Sequence, residues 1–334
     1  MPQQTDGWCV SALPPDDYAQ WAQNSGLLFA MPIWSKILLA LGAEPLFAWN
    51  STRRIGALIA CFRYGGFRIG VLGFPVAGEP WDAMESTDLT NCSTCIGKLA
   101  DCDLLRVNLS MAVAYDPVVT SARPEAWIQN LALWRSDGTK RLRKDLAFAR
   151  RANPALEIVN GSADPATCFG FYSATIKQRG GRLRYNEDYF ESLAQAAELT
   201  NCLAIFTARD AGQKIRGFAA LAIHGSVGYY LHSGADAKGK REGVTDLLLE
   251  SIVIAAREAG CVRLTLMASP WEQSGLVRFK QKWSEQQGLA STYDFAFGVA
   301  GHCGRLVSRW IARDDRLASE AWSARDMAVP GSLE

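Results

Sequence analysis

The stretch that decides the fold is residues 202–268, CLAIFTARDAGQKIRGFAALAIHGSVGYYLHSGADAKGKREGVTDLLLESIVIAAREAGCVRLTLMA. Its first part contains three runs rich in apolar and β-prone residues, and turn-forming residues separate them. Short turns between such runs favour antiparallel neighbours. We therefore predict a three-stranded meander over 202–208, 215–224 and 227–233.

A helix and a fourth strand follow the meander. A polar loop over 234–243 ends the β pattern, and the segment 245–260 is apolar on most sides, which predicts a deeply buried helix. Thr245 can cap the start of this helix and Gly260 can end it. Residues 261–268 form another β-prone run, which predicts the fourth strand.

Three further helices surround this stretch, and the first half of the chain repeats the whole order. Two helices are predicted before it, over about 165–179 and from residue 186, and an amphipathic one after it, over 274–283. In the first half the strands start at residues 45, 54, 67 and 102, and in the second half at 202, 215, 227 and 261. The near-equal offsets indicate an internal duplication. Two unrelated α+β domains are the alternative.

Composition and charge restrict the classes of function. The 334 residues are 49% hydrophobic and 21% charged, with a formal net charge of +1, as in an ordinary globular protein. Such a chain has no global attraction to DNA or to an anionic membrane. No run reaches the roughly 20 apolar residues that span a bilayer, and the start lacks a signal-peptide pattern. We therefore expect no transmembrane segment and a cytoplasmic location.

The cysteines and histidines argue against a metal centre. The nine cysteines are odd in number and mostly lie in apolar runs, which indicates reduced thiols. Cys92 and Cys95 form a single CxxC pair, and the chain has only three histidines. Zinc sites need a further ligand pair at defined spacing. The sequence also has no phosphate-binding loop or nucleophile elbow, so we expect no metal and no tightly bound cofactor.

The most basic segment, 136–154, lies between the two halves. Capping residues precede it and Asn153-Pro154 ends it, which predicts a connecting helix. Its basic residues form either a solvated helix face or an anion-binding surface, and the sequence leaves both interpretations open. These residues are Lys140, Arg141, Arg143, Lys144, Arg150 and Arg151.

Four segments of the second half resemble one family. They are KRLRKDLAFARRANPALEIV (140–159), FYSATIKQRGGRLRYNEDYF (171–190), GFAALAIHGSVGYYLHSGAD (217–236) and GLVRFKQKW (275–283). The resemblance is to the FemAB-like group of tandem acetyltransferase-fold proteins in the GNAT superfamily. The sequence departs from the family pattern at Ser284, where a glycine is usual.

The resemblance implies an α+β fold of the three-layer α/β type, with two tandem GNAT-like domains and mixed, mostly antiparallel sheets. Residues 1–135 would form the first domain, 136–154 the connecting helix and 155–300 a second domain that holds the donor. Residues 301–334 would return to pack on the first domain. The implied activity is transfer of an acyl or aminoacyl group, from acyl-CoA or aminoacyl-tRNA, to an amine of a cell-envelope or natural-product precursor.

Lys280 is the first candidate for catalysis. Phe279 precedes it and Trp283 follows three residues later on nearly the same helix face, and both are candidates for binding the donor. A lysine held against aromatic surface can present its ammonium to developing negative charge, and the resemblance implies that the matching lysine serves the donor ester. The alternative is a surface lysine whose stem covers apolar area.

Tyr230 and His232 are the next candidates, at the end of the third meander strand. A histidine there can accept a proton from the acceptor amine, because its pKa lies near neutrality. The alternative is a histidine that is hydrogen-bonded at a strand end.

Two groups of residues are candidates for binding anions. At the start of the buried helix, where acetyltransferases hold the coenzyme A pyrophosphate, the candidates are Lys240, Arg241, Gly243 and Thr245. This loop matches the acetyltransferase pattern only in part, which leaves room for the acceptor end of charged tRNA. In the turn between the two helices of 165–199, the candidates for phosphate or carboxylate are Arg179, Arg182, Arg184 and Tyr185. Ordinary surface loops are the alternative for both groups.

Two other classes of function stay open at this point. One is a GNAT-fold protein that binds a ligand or partner without turnover, because no side-chain base is evident. The other is an RNA-binding module that uses the basic segment 136–154, although the neutral overall charge argues against it.

Overall fold

In the residues that the structure describes, the first half of the chain contains seven strands and three helices. The computed structural model describes residues 4–5, 7–112, 119–161, 164–178, 183–284 and 286–311. The elements before the connecting helix are β1 (Gln4–Thr5), β2 (Trp8–Ser11), α1 (Asp16–Ser25), α2 (Pro32–Ala40), β3 (Glu44–Asn50), β4 (Ile55–Tyr64), β5 (Phe67–Leu72), α3 (Ser86–Leu99), β6 (Leu104–Ala112) and β7 (Val119–Ile128). Short 3-10 turns lie at Leu28–Ala30 and Trp81–Ala83.

The second half repeats this order after the connecting helix. Its elements are α4 (Lys140–Ala152), β8 (Glu157–Asn160), α5 (Pro165–Gln178), α6 (Glu187–Leu199), β9 (Leu203–Arg209), β10 (Ile215–His224), β11 (Val227–Ala235), α7 (Ala237–Arg241), α8 (Val244–Glu258), β12 (Arg263–Ala268), α9 (Ser274–Gln281), β13 (Gln286–Ala296) and α10 (Gly298–Ile311). The predicted meander, the buried helix and the fourth strand are all present, with bounds shifted by a few residues.

The loop before the buried helix differs from the prediction. Residues 234–243 contain the short helix α7, which Asp236 caps by accepting a hydrogen bond from the Gly239 amide. The expectation that Thr245 caps α8 is wrong, because Gly243 holds the cap position in a left-handed conformation and no side chain caps the helix. Gly260 does end α8, with φ at +82°.

All the strands belong to one mixed sheet of 13 strands. The order is β1-β2-β3-β4-β5-β6-β13-β7-β12-β11-β10-β9-β8. Strand β7, from the end of the first half, therefore lies beside β12 of the second half, and β13 lies beside β6 of the first. Strands β7 and β13 pair with each other antiparallel at the centre. The two halves share one sheet because each contributes a strand to the other.

The two halves also share a core on one face of this sheet. Apolar side chains of α1, α2 and the Leu28–Ala30 turn pack with those of α5, α6 and β11 in a single cluster. His224 connects the halves: its Nδ1 accepts a hydrogen bond from the Phe29 amide at 3.0 Å, and its ring stacks on Phe29 at 4.7 Å. Burial lowers the pKa of His224 to about 3, so the ring is neutral near pH 7.

The connecting helix α4 packs along α8. Leu142, Leu146 and Ala149 of α4 are buried in the core on the other face of the sheet. Arg150 makes two hydrogen bonds to Glu250 of α8, at 2.7 and 2.8 Å. One side of α4 is therefore docked on the second half, and the remaining cations of the segment face outward.

Helix α10 continues from β13 and packs on elements of the first half. A Cβ added to Gly301 would lie 1.9 Å from the Asp103 carbonyl oxygen, and one added to Gly304 would lie 2.6 Å from Phe67. Residues 312–334 of the predicted returning segment lie outside the described residues. In the described part of the chain no helix combines the length and apolarity needed to span a membrane.

Candidate active site

A cleft of about 520 Å³ lies between the two halves, and we call it the central cleft. It opens beside the turn between β10 and β11 and the start of β12. Its polar and aromatic lining consists of Trp21, Ser25, Arg53, Arg54, Glu79, Asp82, His224, Ser226, Tyr229 and Arg263. A ligand in this cleft therefore contacts both halves.

Strands β11 and β12 separate just beyond Tyr229, a residue that lines this cleft. They pair in parallel only as far as Tyr229 with Thr265. An extra residue in β11, Leu231, shifts the register against β10, and a second irregularity lies between Thr265 and Ala268 of β12, where Met267 has φ at +62°. Both irregularities bend the strands apart. Backbone groups beyond the last pair can then bind an extended ligand instead of a neighbouring strand.

Asp82 is a half-buried carboxyl group in the lining of the central cleft. It lies in the Trp81–Ala83 turn, and its Oδ1 accepts a hydrogen bond from the Ser110 amide at 3.0 Å. Burial raises the pKa of Asp82 to about 8, and the Glu125 and Glu79 carboxylates add to the rise. A carboxyl group with a pKa near neutrality can accept and release a proton during turnover.

Glu125 lies behind Asp82 on β7 and is only 1% exposed. Its two oxygens accept the Ser110 hydroxyl, each at 3.0 Å, and Oε1 also accepts a hydrogen bond from the Thr265 hydroxyl. Ser110 therefore bridges the two carboxyl groups, with its amide on Asp82 and its hydroxyl on Glu125. The buried carboxyl group has hydroxyl partners on both sides.

Lys280 lies on the other side of this network. The residue is 7% exposed, and its Nζ donates to the carbonyl oxygens of Met267 at 2.8 Å and Ala268 at 3.2 Å. Lys280 and Glu125 both line a small pocket beside Ser269. The lysine therefore brings a positive charge to the point where β12 bends away from β11.

The bulge at Leu231 turns Tyr230 and His232 to opposite faces of the sheet. Tyr230 packs in the α8 core, where burial raises its pKa. His232 lies among Tyr172, Tyr185 and Phe190 on the other face.

His232 takes part in a hydrogen bond to a neighbouring tyrosine. Its Nε2 lies 2.7 Å from the Tyr189 hydroxyl, and burial lowers the pKa of His232 to about 4. The structure does not bring Tyr230 and His232 together, and His232 is held in the neutral form near pH 7.

The aromatic residues beside Lys280 belong to the core around α8. Trp283 stacks on Trp134, and its Nε1 donates to Asp246 at 3.3 Å. Phe279 packs against the same core. Lys282, which the sequence did not single out, makes ion pairs with Asp246 at 2.7 Å and Asp145 at 3.0 Å. These residues tie α9 to α8 and α4.

The donor loop has a different arrangement from the expected one. A Cβ added to Gly243 would lie 2.8 Å from the Ala149 Cβ, so α4 packs directly on the start of α8. Thr245 is partly buried in the first turn. Lys240 and Arg241 are exposed on α7, and the Lys240 Nζ donates to the Thr175 hydroxyl at 2.9 Å beside a groove of about 510 Å³.

The residues of the predicted interhelix anion site are only partly described. Arg179 and Arg182 lie outside the described residues. Arg184 is exposed, and its amide donates to the Tyr172 hydroxyl at 3.1 Å. Tyr185 stacks on Tyr189 at 4.4 Å, and burial raises the pKa of Tyr185 to about 12. Tyr185 therefore belongs to the aromatic cluster around His232.

Sequence reasoning missed Asp82, Ser110, Glu125 and Thr265. Glu125 offered a signal, because it is a lone carboxylate in the β-prone run VTSARPEAWI (119–128). Asp82 offered none, because it lies in an irregular loop. Among the described residues no group of three or more histidine, cysteine, aspartate or glutamate side chains is placed to hold a metal ion.

Comparisons with known proteins agree with this architecture. Residues 136–281 match the model of the acetyltransferase (GNAT) domain family. The crystal structure of FemX has a TM-score of 0.63 at 10% identity, and the match covers 90% of this chain and 99% of that one. L-PGS from Bacillus licheniformis has a TM-score of 0.53 at 12% identity, with coverage of 90% and 97%.

A third solved structure has the same fold. The C-terminal domain of a putative lysylphosphatidylglycerol synthetase from Agrobacterium fabrum has a TM-score of 0.51 at 15% identity, with coverage of 86% and 94%. The comparison with curated proteins gives no match. The two-unit fold predicted from the duplication is therefore found in solved structures over nearly their whole length.

Proposed function

We propose that the chain is a FemAB-like acyltransferase of the GNAT fold, which transfers an aminoacyl or acyl group to an amine bound in the central cleft. The donor carbonyl would lie where β11 and β12 separate, beside Tyr229 and Thr265. The observation that carries the proposal is the half-buried Asp82, whose pKa of about 8 fits a proton acceptor, in a cleft that Tyr229, the last paired residue of β11, also lines.

Asp82 would accept the proton that the acceptor amine loses. As the amine nitrogen forms its bond to the donor carbonyl carbon, its N–H proton passes to the Asp82 carboxylate, and the carbonyl oxygen becomes negative. Collapse of this intermediate re-forms the carbonyl and expels the donor oxygen or sulfur, which takes the proton back from Asp82. Lys280 would act on the donor side, because its buried ammonium adds a positive charge near the opening.

Two observations favour a charged tRNA over acyl-CoA as donor. First, Ala149 of α4 packs on the start of α8, and Asp246 lies in the first turn of that helix. In acetyltransferases this helix start binds the pyrophosphate of coenzyme A through free amides. The covering helix and the acidic residue both disfavour an anion at this place.

The second observation is the outer face of α4, which is basic and contains an exposed aromatic residue. Arg141, Lys144, Phe148 and Arg151 recur every three or four residues, so they share one face, and all four are exposed. In the described part of the chain none of these three cations makes an ion pair with an acidic side chain. Cations interleaved with an exposed ring are typical of surfaces that bind RNA.

The donor can be identified by thermal stability and by turnover. A ligand that binds only the folded state raises the melting temperature. We expect a rise with a mixture of aminoacylated tRNAs, a smaller rise with uncharged tRNA and none with acetyl-CoA. A rise with acetyl-CoA alone would refute the choice of donor.

Turnover is measured as loss of the aminoacyl ester in the presence of a panel of primary amines. Asp82→Asn is expected to remove the amine-dependent loss and to leave the donor-induced melting shift unchanged. Donor binding without any amine-dependent loss in the wild type would instead support a GNAT-fold protein that binds a ligand without turnover.

A further inference from the structure

One chain of buried hydrogen bonds connects the acceptor side of the site to the donor side. It starts at Asp82 in the central cleft, passes through Ser110 to Glu125 and continues to the Thr265 hydroxyl. These residues come from three strands, β6, β7 and β12, and from the Trp81–Ala83 turn. Glu125 lies in the middle of this chain, is 1% exposed and is not one of the residues that line the central cleft.

Toward the cleft, Glu125 acts on Asp82 through charge and through Ser110. The serine amide donates to Asp82 and the serine hydroxyl donates to Glu125, so one residue fixes the position of both carboxyl groups. A second negative charge at this short range disfavours ionisation of the first carboxyl group. The other charged or titratable groups that act on Asp82 are Glu79, Arg263 and Tyr229.

Toward the donor side, Glu125 acts on the bend in β12. Thr265 donates its hydroxyl proton to Glu125, and the same oxygen accepts the Met267 amide at 2.9 Å. This second bond helps to hold Met267 in its left-handed conformation, which most residues other than glycine avoid. In that conformation the Met267 and Ala268 carbonyl oxygens both accept hydrogen bonds from Lys280.

We propose that Glu125 is a positioning residue that sets the protonation of Asp82 through Ser110 and the place of Lys280 through Thr265. This inference rests on the proposed function, in which Asp82 receives the proton of the amine. Glu125 touches no substrate in this scheme. The protonation of Asp82 and the position of Lys280 therefore both depend on the Glu125 carboxylate.

The test follows the ionisation of Asp82 directly and needs neither donor nor acceptor. The protein is labelled with ¹³C at its aspartate carboxyl carbons, and the Asp82 resonance is assigned with Asp82→Asn. In the wild type we expect its midpoint near pH 8. In Glu125→Gln, which keeps the shape and removes the charge, the midpoint moves to lower pH.

Two further variants make the result specific. Ser110→Ala removes the hydroxyl that fixes the Glu125 carboxyl group near Asp82, so it should move the midpoint in the same direction by a smaller amount. Glu250→Gln is the matched control, because Glu250 is also a buried carboxylate but lies on α8 and pairs with Arg150. The control should leave the Asp82 midpoint unchanged.

An unchanged Asp82 midpoint in folded Glu125→Gln and Ser110→Ala would overturn the proposal, as would an equal shift in Glu250→Gln. If Glu125→Gln does not fold, Ser110→Ala alone decides the matter. Failure of the proposed function gives a different result: Asp82→Asn would keep full amine-dependent turnover while the titration still showed the coupling. The two hypotheses can therefore fail separately.

Discussion

Replacing Gly243 by alanine tests whether α4 closes the start of α8. Gly243 has φ at +77°, and a left-handed conformation costs an alanine about 1–2 kcal/mol. The added Cβ would also lie 2.8 Å from the Ala149 Cβ, and overpacking of this kind costs about 1–3 kcal/mol. Alanine also restricts the conformations of the unfolded chain, which stabilises the folded state by about 0.5 kcal/mol. We expect Gly243→Ala to lower the free energy of unfolding by about 3 kcal/mol.

Gly260 at the other end of α8 provides the matched control. Its φ is +82°, but a Cβ there would meet nothing within 4 Å. Gly260→Ala should therefore lower the free energy of unfolding by only about 1 kcal/mol, because only the backbone conformation opposes the change. Urea unfolding followed by circular dichroism gives both values. Equal losses for the two variants would refute the reasoning, because they would mean that α4 does not press on the start of α8.

A double-mutant cycle isolates the contact itself. Ala149→Gly alone should cost about 1 kcal/mol, since glycine is a poor helix former. In the Gly243→Ala background the same change removes the clash and should stabilise the protein. Additive losses in the double variant would contradict the packing argument, because residues in contact show coupling energies.

Three further predictions follow from the same contacts. Burial holds the pKa of His224 and His232 at about 3 and 4, below the unfolded value of about 6.5, so their contribution to stability is complete above that value and is lost as the pH falls toward 4. The urea midpoint should therefore fall between pH 7 and pH 5, and His224→Gln should reduce this dependence. Lys282→Met leaves Asp246 buried without its cation and should cost about 3 kcal/mol in urea unfolding, whereas Lys238→Met, at an exposed pair, should cost under about 1 kcal/mol. Substitution of Lys144 by glutamine should weaken tRNA binding and reduce the slope of log K against log salt by about 1, measured by filter binding; an unchanged slope would argue against the α4 surface.

The local elements could be predicted because their patterns are local. The strands of the meander and the ends of α8 follow from apolar runs, turn residues and Gly260. The central pair of strands could not be predicted in this way. Strand β7 contains Pro124 and Glu125, which argue against a central strand, yet it lies between β12 and β13. Its place is determined by pairing with strands far away in the sequence.

The candidate site also combines a residue that a local pattern predicts with residues that only the folded sheet brings together. Lys280 was recognised from a motif of nine residues, and the structure places it beside the bend in β12. Asp82 and Glu125 meet only because β6, β7 and β12 are neighbours or near neighbours in the folded sheet. The properties of these two carboxyl groups come from burial and from their shared partner Ser110. No spacing of residues along the sequence predicts them. Conversely, the residue type and strand position of His232 favoured a proton acceptor. The surrounding aromatic side chains bury the ring and keep it neutral near pH 7.

The reciprocal placement of β7 and β13 has a consequence for how the protein can be assembled. Neither half is a closed folding unit, because each would expose a bare strand edge, on β6 or β12, without the strand that the other half supplies. During synthesis, nearly 180 residues that follow β6 must be made before β13 can pair with it. A chain cut in the connection before α4 should yield two aggregation-prone fragments that become soluble when they are expressed together. Two copies of one half that exchanged their last strands would form the same central pair of strands.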